Sequence, residues 1–264
     1  MSNDIAYTNG EFIPGAAGYP PKWAAVAAAF RDAMSLQGRA RLNLPHGAGA
    51  RQRYDLFLPE GVDRGMVMFV HGGYWRMFDR SYWSHLAAGP LAQGWAVAMP
   101  SYTLCPEARI ADITGEIAAC LRHLAETREG ALRLAGHSAG GHLVARMLCR
   151  DVDIGAAGGR IAGVCAISPV VDLRPLIDTA MNADFAMDMA MAEAESPSLH
   201  RNIRDVPVTA WVGAEERPAF LDQARWLAEA WPTARLHVEP GRHHFDVIEP
   251  LAAPDSALTR AVLG

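Results

Sequence analysis

At 264 residues the chain has the length of one large domain rather than two small ones, and with half its residues hydrophobic and a fifth charged it can bury a full core without metal or disulfide staples. A formal net charge of −5, from 24 basic and 29 acidic residues with neither sign gathered into blocks, argues against nucleic acid and anionic membrane as partners. A small molecule is the expected partner, and monomer and homodimer both stay open.

The N-terminal stretch MSNDIAYTNGEFIPG has neither a basic n-region nor an apolar h-region, so no secretion signal is expected and the cytoplasm is the expected compartment. Apolar runs such as WAAVAAAF fall far short of the roughly 20 residues that span a bilayer. Pro20 and Pro21 precede KWAAVAAAFRDAMSLQ, whose alanine content and following Gly38 predict a helix ahead of the main fold, a strap or lid. QRYDLFL (52–58) alternates and predicts an early antiparallel strand, with Tyr54, Leu56 and Leu58 on one face, stopping at Pro59.

From there strands and helices alternate. MVMFV (66–70) reads as a buried strand, then a helix near Tyr82–Gln93, a strand WAVAMP (95–100), a helix from Ile110 to Thr127 and a strand ALRLAG (131–136). A helix from about Gly140 to Cys149 follows, then strands IAGVCAIS (161–168) and VPVTAWVG (206–213), a helix from about Pro218 to Trp231 and a short strand ARLHVE (234–239). This is an α/β pattern: a mostly parallel sheet covered on both faces, with its site at the C-terminal ends of the strands. Residues 172–200 break the rhythm with a long stretch lacking a clear strand; its methionines (Met181, Met187, Met189, Met191) suit either core packing or an adaptable pocket wall.

GHSAG (136–140) fits G-x-S-x-G between a strand and a helix-forming run, the context in which a serine occupies a tight turn with its hydroxyl exposed. A serine hydroxyl needs a base, and the base an orienting carboxylate, in the order Ser, acid, His. Glu215 and Glu216 follow the strand VPVTAWVG, and His243 and His244 follow the next one; one of each pair is expected to serve. Asp172, just beyond the strand ending at Ser168, is a further carboxylate at the same sheet edge. His71-Gly72-Gly73 ends the buried strand 66–70, and Gly72 and Gly73 there are suited to offer backbone N–H groups to an oxyanion together with that of Ala139. His71 is expected to hold that loop by hydrogen bonds rather than to act as the base. Tyr74 and Trp75 are candidate pocket residues, with core packing the competing reading. No HxxxH, HxH or CxxC spacing occurs, and Cys105, Cys120, Cys149 and Cys165 read as buried reduced thiols, so neither a metal nor another cofactor is expected.

Taken together, HGGYW (71–75), SYTLCPEARI (101–110), GHSAGGHL (136–143), DLRPL (172–176), GAEERPAF (213–220) and HHFDVI (243–248) resemble the landmarks of α/β-hydrolase fold esterases with an HGG oxyanion loop, nearest to the kynurenine formamidase (arylformamidase) branch. The resemblance implies one α/β-hydrolase domain over 1–264, with a helical strap over 1–40 and a cap-like insertion over 172–200. It implies Ser138 as nucleophile, Glu216 as the acid where many relatives carry Asp, and His244 as the base. The implied activity is hydrolysis of small carboxylic esters or aryl formamides, N-formylkynurenine leading, through an acyl-enzyme. A general short-chain carboxylesterase or thioesterase is the alternative enzyme, and a catalytically silent ligand-binding protein the alternative of another class.

Overall fold

A computed structural model describes residues 3–264. Eight strands form one sheet in the order β1-β2-β4-β3-β5-β6-β7-β8. They are β1 (Ala40–Pro45), β2 (Arg53–Phe57), β3 (Gly65–Val70), β4 (Ala96–Pro100), β5 (Ala131–His137), β6 (Ile161–Ile167), β7 (Val208–Gly213) and β8 (Ala234–Glu239). β2 runs antiparallel to β1 and β4; from β4 onward all pairings are parallel.

The helices are α1 (Asp4–Tyr7), α2 (Tyr19–Leu36), α3 (Ala88–Ala92), α4 (Ile110–Thr127), α5 (Ala139–Arg146), α6 (Asn182–Phe185), α7 (Met189–Ala194), α8 (Pro218–Ala230) and α9 (Ala257–Leu263). Alternate residues of a strand point to opposite faces, so β3 feeds two cores. Met66, Met68 and Val70 pack with Ile113 and Ile117 of α4, Leu143 of α5 and Phe220 of α8. Val67 and Phe69 pack with Trp23 of α2 and with Leu258 and Val262 of α9. Covering both faces is why β3 reads as an unbroken apolar run.

Several expectations need correction. The segment near Tyr82–Gln93 is not one helix but the 3-10 turns Arg80–Tyr82 and Ser84–Ala87 followed by the short α3. Pro90 lacks the N–H that an uninterrupted helix requires, and Gly89 packs so closely that a Cβ there would lie 2.2 Å from the Leu251 carbonyl oxygen. β2 is the antiparallel strand expected, and it is buried on both sides: Asp55 and Phe57 are as buried as Tyr54 and Leu56, with the ring of Phe30 in α2 packed edge-on against Phe57. β1 and α9 carried no sequence signal strong enough to be expected.

The parallel register brings the strand ends that matter to one level. Val70 pairs with Gly136, His137 with Ile167, and Ile167 with Trp211. The loops leaving β3, β5, β6 and β7 therefore converge, as expected at the carboxyl edge of a parallel sheet.

Candidate active site

β5 ends and α5 begins around a single residue, Ser138, held at φ 56° and ψ −116°. A side chain at positive φ is sterically disfavoured, so the surroundings must hold it there. Two contacts do so: the Ser138 N–H donates to the Ile167 carbonyl at 2.8 Å, and glycines on either side let the turn close against β3. A Cβ on Gly136 would lie 2.2 Å from the Gly140 carbonyl oxygen, and one on Gly140 would lie 1.9 Å from that of Val70. The Gly-x-Ser-x-Gly spacing is thus a packing requirement. Ser138 Oγ makes no hydrogen bond among the described residues.

Of the competing carboxylates, Glu216 is buried and Glu215 is exposed. Glu216 Oε2 lies 2.6 Å from His244 Nδ1. Its other oxygen accepts from the Ser168 hydroxyl at 2.5 Å and from the Gly213 N–H at 2.8 Å. Both oxygens are thus committed, and three hydrogen bonds hold the carboxylate in place beside His244. Ser168, itself fully buried and at φ 46°, had no signal in the sequence beyond its place at a strand end. Asp172 turns away to pair with Arg174 at 2.6 Å.

The histidine pair divides in the same way. His243 is half-buried, with Nε2 3.1 Å from the Tyr19 hydroxyl and Nδ1 3.2 Å from Asp246. His244 is buried, and its Nδ1 partner leaves Nε2 uncommitted among the described residues. His137 holds the His244 backbone: its Nε2 lies 2.9 Å from the His244 carbonyl. A carbonyl only accepts, so His137 Nε2 carries the proton. Burial keeps this imidazole well below its ordinary pKa and therefore neutral.

Ser138, His137, His244, Gly72 and Gly73 share the wall of one cavity of about 550 Å³. Gly72 presses on the serine turn: a Cβ there would come within 2.8 Å of the His137 carbonyl oxygen and 3.0 Å of Ser138 Cβ. Gly73 sits at φ 117°, where its carbonyl receives the N–H groups of Arg76 and Met77. The N–H groups of Gly72 and Gly73 find no acceptor among the described residues. Ala139 is the first residue of α5, whose opening N–H groups lack intrahelical partners; it is buried directly after Ser138 and is not itself a cavity-wall residue.

His71 accounts for the loop's hold. Its Nδ1–H donates to the Gly72 carbonyl at 2.7 Å, its ring stacks on Tyr102 at 4.4 Å, and the Tyr102 hydroxyl donates to the His71 carbonyl at 3.1 Å. Burial lowers His71 to about 4 and, in α5, His142 to about 3. Both are neutral when folded, while an unfolded histidine takes up a proton near pH 6.5. Stability is therefore complete above about pH 6.5 and declines as pH falls toward the folded values, by up to about 1.4 kcal/mol per pH unit per histidine. Urea midpoints at pH 7, 5.5 and 4.5 should fall in that order; a flat series would contradict it.

Tyr74 lines the cavity, but Trp75 does not. Trp75 has no exposed surface and packs edge-on against His142 and Phe185, so it is core. The rest of the wall was not foreseen. Tyr7, Asn9, Pro20 and Trp23 come from the first residues of the chain, joined by Phe78 and Phe245. Of the methionines in 172–200, Met181 lines the cavity, Met187 is core and Met189 is exposed.

Among the described residues Cys149, Asp151 and His200 lie at metal-ligand spacing. The Arg146 guanidinium already occupies that cluster, 2.7 Å from Asp151 and 3.2 Å from His200 Nε2, and burial pushes the Cys149 thiol up to about 11. A cation beside a protonated thiol is a poor metal site.

This sheet and the serine turn between β5 and α5 define an α/β hydrolase, and residues 67–244 match the model of the alpha/beta hydrolase fold family, to which the chain belongs. It is an enzyme, a serine hydrolase of the formamidase and esterase type. The chain is 30% identical over 253 residues to a kynurenine formamidase of Drosophila melanogaster, covering 87% of this chain and 83% of that one. It is 26% identical to the kynurenine formamidase of Salmo salar, covering 84% and 80%. A solved structure from Silicibacter sp. TM1040, provisionally described as a thioesterase, is 56% identical over the full length of both chains, with a TM-score of 0.97. Esterase B of Lactobacillus rhamnosis, 17% identical over 92% of each chain with a TM-score of 0.66, shares the fold. Among the described residues no helix is long and apolar enough to cross a membrane.

Proposed function

We propose that the enzyme hydrolyses aryl formamides, with N-formylkynurenine the leading substrate, through an acyl-enzyme on Ser138. The observation that carries the reading is the buried Glu216–His244 pair at 2.6 Å, whose histidine lines the same cavity as Ser138. His244 Nε2 takes the Ser138 proton as Oγ attacks the formyl carbon. Glu216 holds the proton of the ring on Nδ1 and stabilises the imidazolium. The backbone N–H groups of Gly72, Gly73 and Ala139 take the oxyanion. His244 then protonates the leaving amine, and water activated by the same nitrogen releases formate. Tyr74 forms part of the substrate wall. The four unpaired cysteines suit a reducing compartment, the cytoplasm.

The cavity's apolar aromatic wall suits an aryl leaving group, and the formamidases among the relatives point the same way. The 56% identical structure described as a thioesterase supports a second reading, hydrolysis of small thioesters. Comparing kcat/KM for N-formylkynurenine, p-nitrophenyl acetate and an acyl thioester separates them. The formamide should give the highest value; a thioester above it would replace the first reading by the second.

A further inference from the structure

The N-terminal segment brings one polar side chain into the cavity with half of its amide uncommitted. Asn9 is 3% exposed and lines the cavity. Its Nδ2 donates to the Tyr74 hydroxyl at 2.7 Å, and that hydroxyl donates in turn to the Tyr7 carbonyl at 2.5 Å.

The direction of this chain is fixed by chemistry. A carbonyl oxygen only accepts, so the single hydroxyl hydrogen of Tyr74 belongs to Tyr7 and the hydroxyl must accept from Asn9. Burial raises Tyr74 above its ordinary pKa, which keeps that hydrogen in place. The NH2 end of the Asn9 amide therefore faces Tyr74, and Oδ1 faces the other way. Oδ1 has no partner among the described residues and is not sealed from solvent, unlike the buried unpartnered indole nitrogen of Trp23 in the same wall.

The neighbouring polar groups are otherwise engaged. The Thr8 hydroxyl donates to the Asp4 carbonyl, Arg76 pairs with Asp184, and His137 holds the His244 carbonyl. Asp4 also lines the cavity, and its carboxylate accepts from the Ala180 N–H; Asn9 Oδ1 is an acceptor on this wall that is held in place by its own amide and has no partner among the described residues.

We infer that Asn9 is a specificity-determining residue that selects acyl substrates carrying an amine, amide N–H or hydroxyl donor outside the scissile group, an inference that rests on Ser138 being the reacting residue of this cavity. Solvent satisfies Oδ1 while the cavity is open. A substrate that fills the cavity displaces that solvent, and one without a donor leaves a buried acceptor unpaired, a mismatch typically worth about tenfold in affinity.

The test uses aryl acetates bearing an amino group at ring position 3 or 4 against their methyl counterparts, whose parent phenols have similar acidity, each rate normalised to its hydroxide-catalysed hydrolysis. The parent enzyme should prefer the amino compound by about tenfold in kcat/KM at one of the two positions. In Asn9→Leu that ratio should fall to about one. In Tyr74→Phe the amide is free to turn, and the ratio should fall part of the way; this variant decides the matter if Asn9→Leu does not fold. A parent ratio near one at both positions, or a parent ratio retained in the folded variants, overturns the inference. Failure of the underlying reading looks different: turnover of both compounds would be absent or would survive Ser138→Ala.

Discussion

Ser138→Ala should lower kcat by about four to six orders of magnitude, with melting temperature within a degree or two of the parent protein. In the proposed mechanism loss of rate follows because Ser138 alone supplies the attacking oxygen, and its removal leaves only positioning and the proposed oxyanion contacts to assist water. Stability should hardly change. Ser138 Oγ has no hydrogen-bond partner among the described residues, so its removal orphans nothing, and alanine meets the same positive φ as serine does. Stopped assays with the best substrate and a thermal melt read the two quantities. A variant retaining more than a hundredth of parental turnover would remove Ser138 from the reaction.

Glu216→Gln should cost about three to four orders of magnitude in kcat, with KM changed much less. The carboxylate accepts three hydrogen bonds, from Ser168, from Gly213 and from His244. A glutamine can keep its oxygen toward Ser168 and Gly213, but its NH2 then meets His244 Nδ1. That nitrogen must accept, the proton moves to Nε2, and the nitrogen proposed to take the serine proton is no longer a base. Turning the amide over instead sets the NH2 against two donors. Either arrangement disables the histidine or strains its support, so Glu216→Gln should also melt several degrees lower. A rise in KM with kcat intact would instead make Glu216 a substrate-binding group.

How much of this was legible in the sequence depended on the range of the cause. β8 and α4 occupy the same spans in sequence and structure because their patterns are local: an apolar stripe at helical spacing in α4, a short run between turns in β8. The serine turn was legible because Gly136 and Gly140 answer a steric demand that recurs wherever a strand feeds a helix this tightly. Glu216 over Glu215, and His244 over His243, came from resemblance alone, since adjacent residues in a loop are equivalent until the fold turns one inward. Trp75 was misplaced for a related reason. Tyr74 and Trp75 both lie at positive φ, and no periodicity describes such a loop. Ser168 and Asn9 were invisible because their partners are 48 and 65 residues away.

That separation has a consequence for how the molecule comes into being. The cavity is walled by residues far apart in the chain, Tyr7 and Asn9 with His244 and Phe245, and contacts beside it tie the same segments together: the Tyr7 hydroxyl accepts from Gln223, and Tyr19 meets His243 across 224 positions. Contacts so distant in sequence form late, after the cost of closing a very large loop has been met. A growing polypeptide can complete β3, β4 and β5 and still have no pocket, because the wall also needs His244 and Phe245, which are made more than 100 residues after β5. Turnover, rather than helix content, is therefore the measure of when this protein has finished folding.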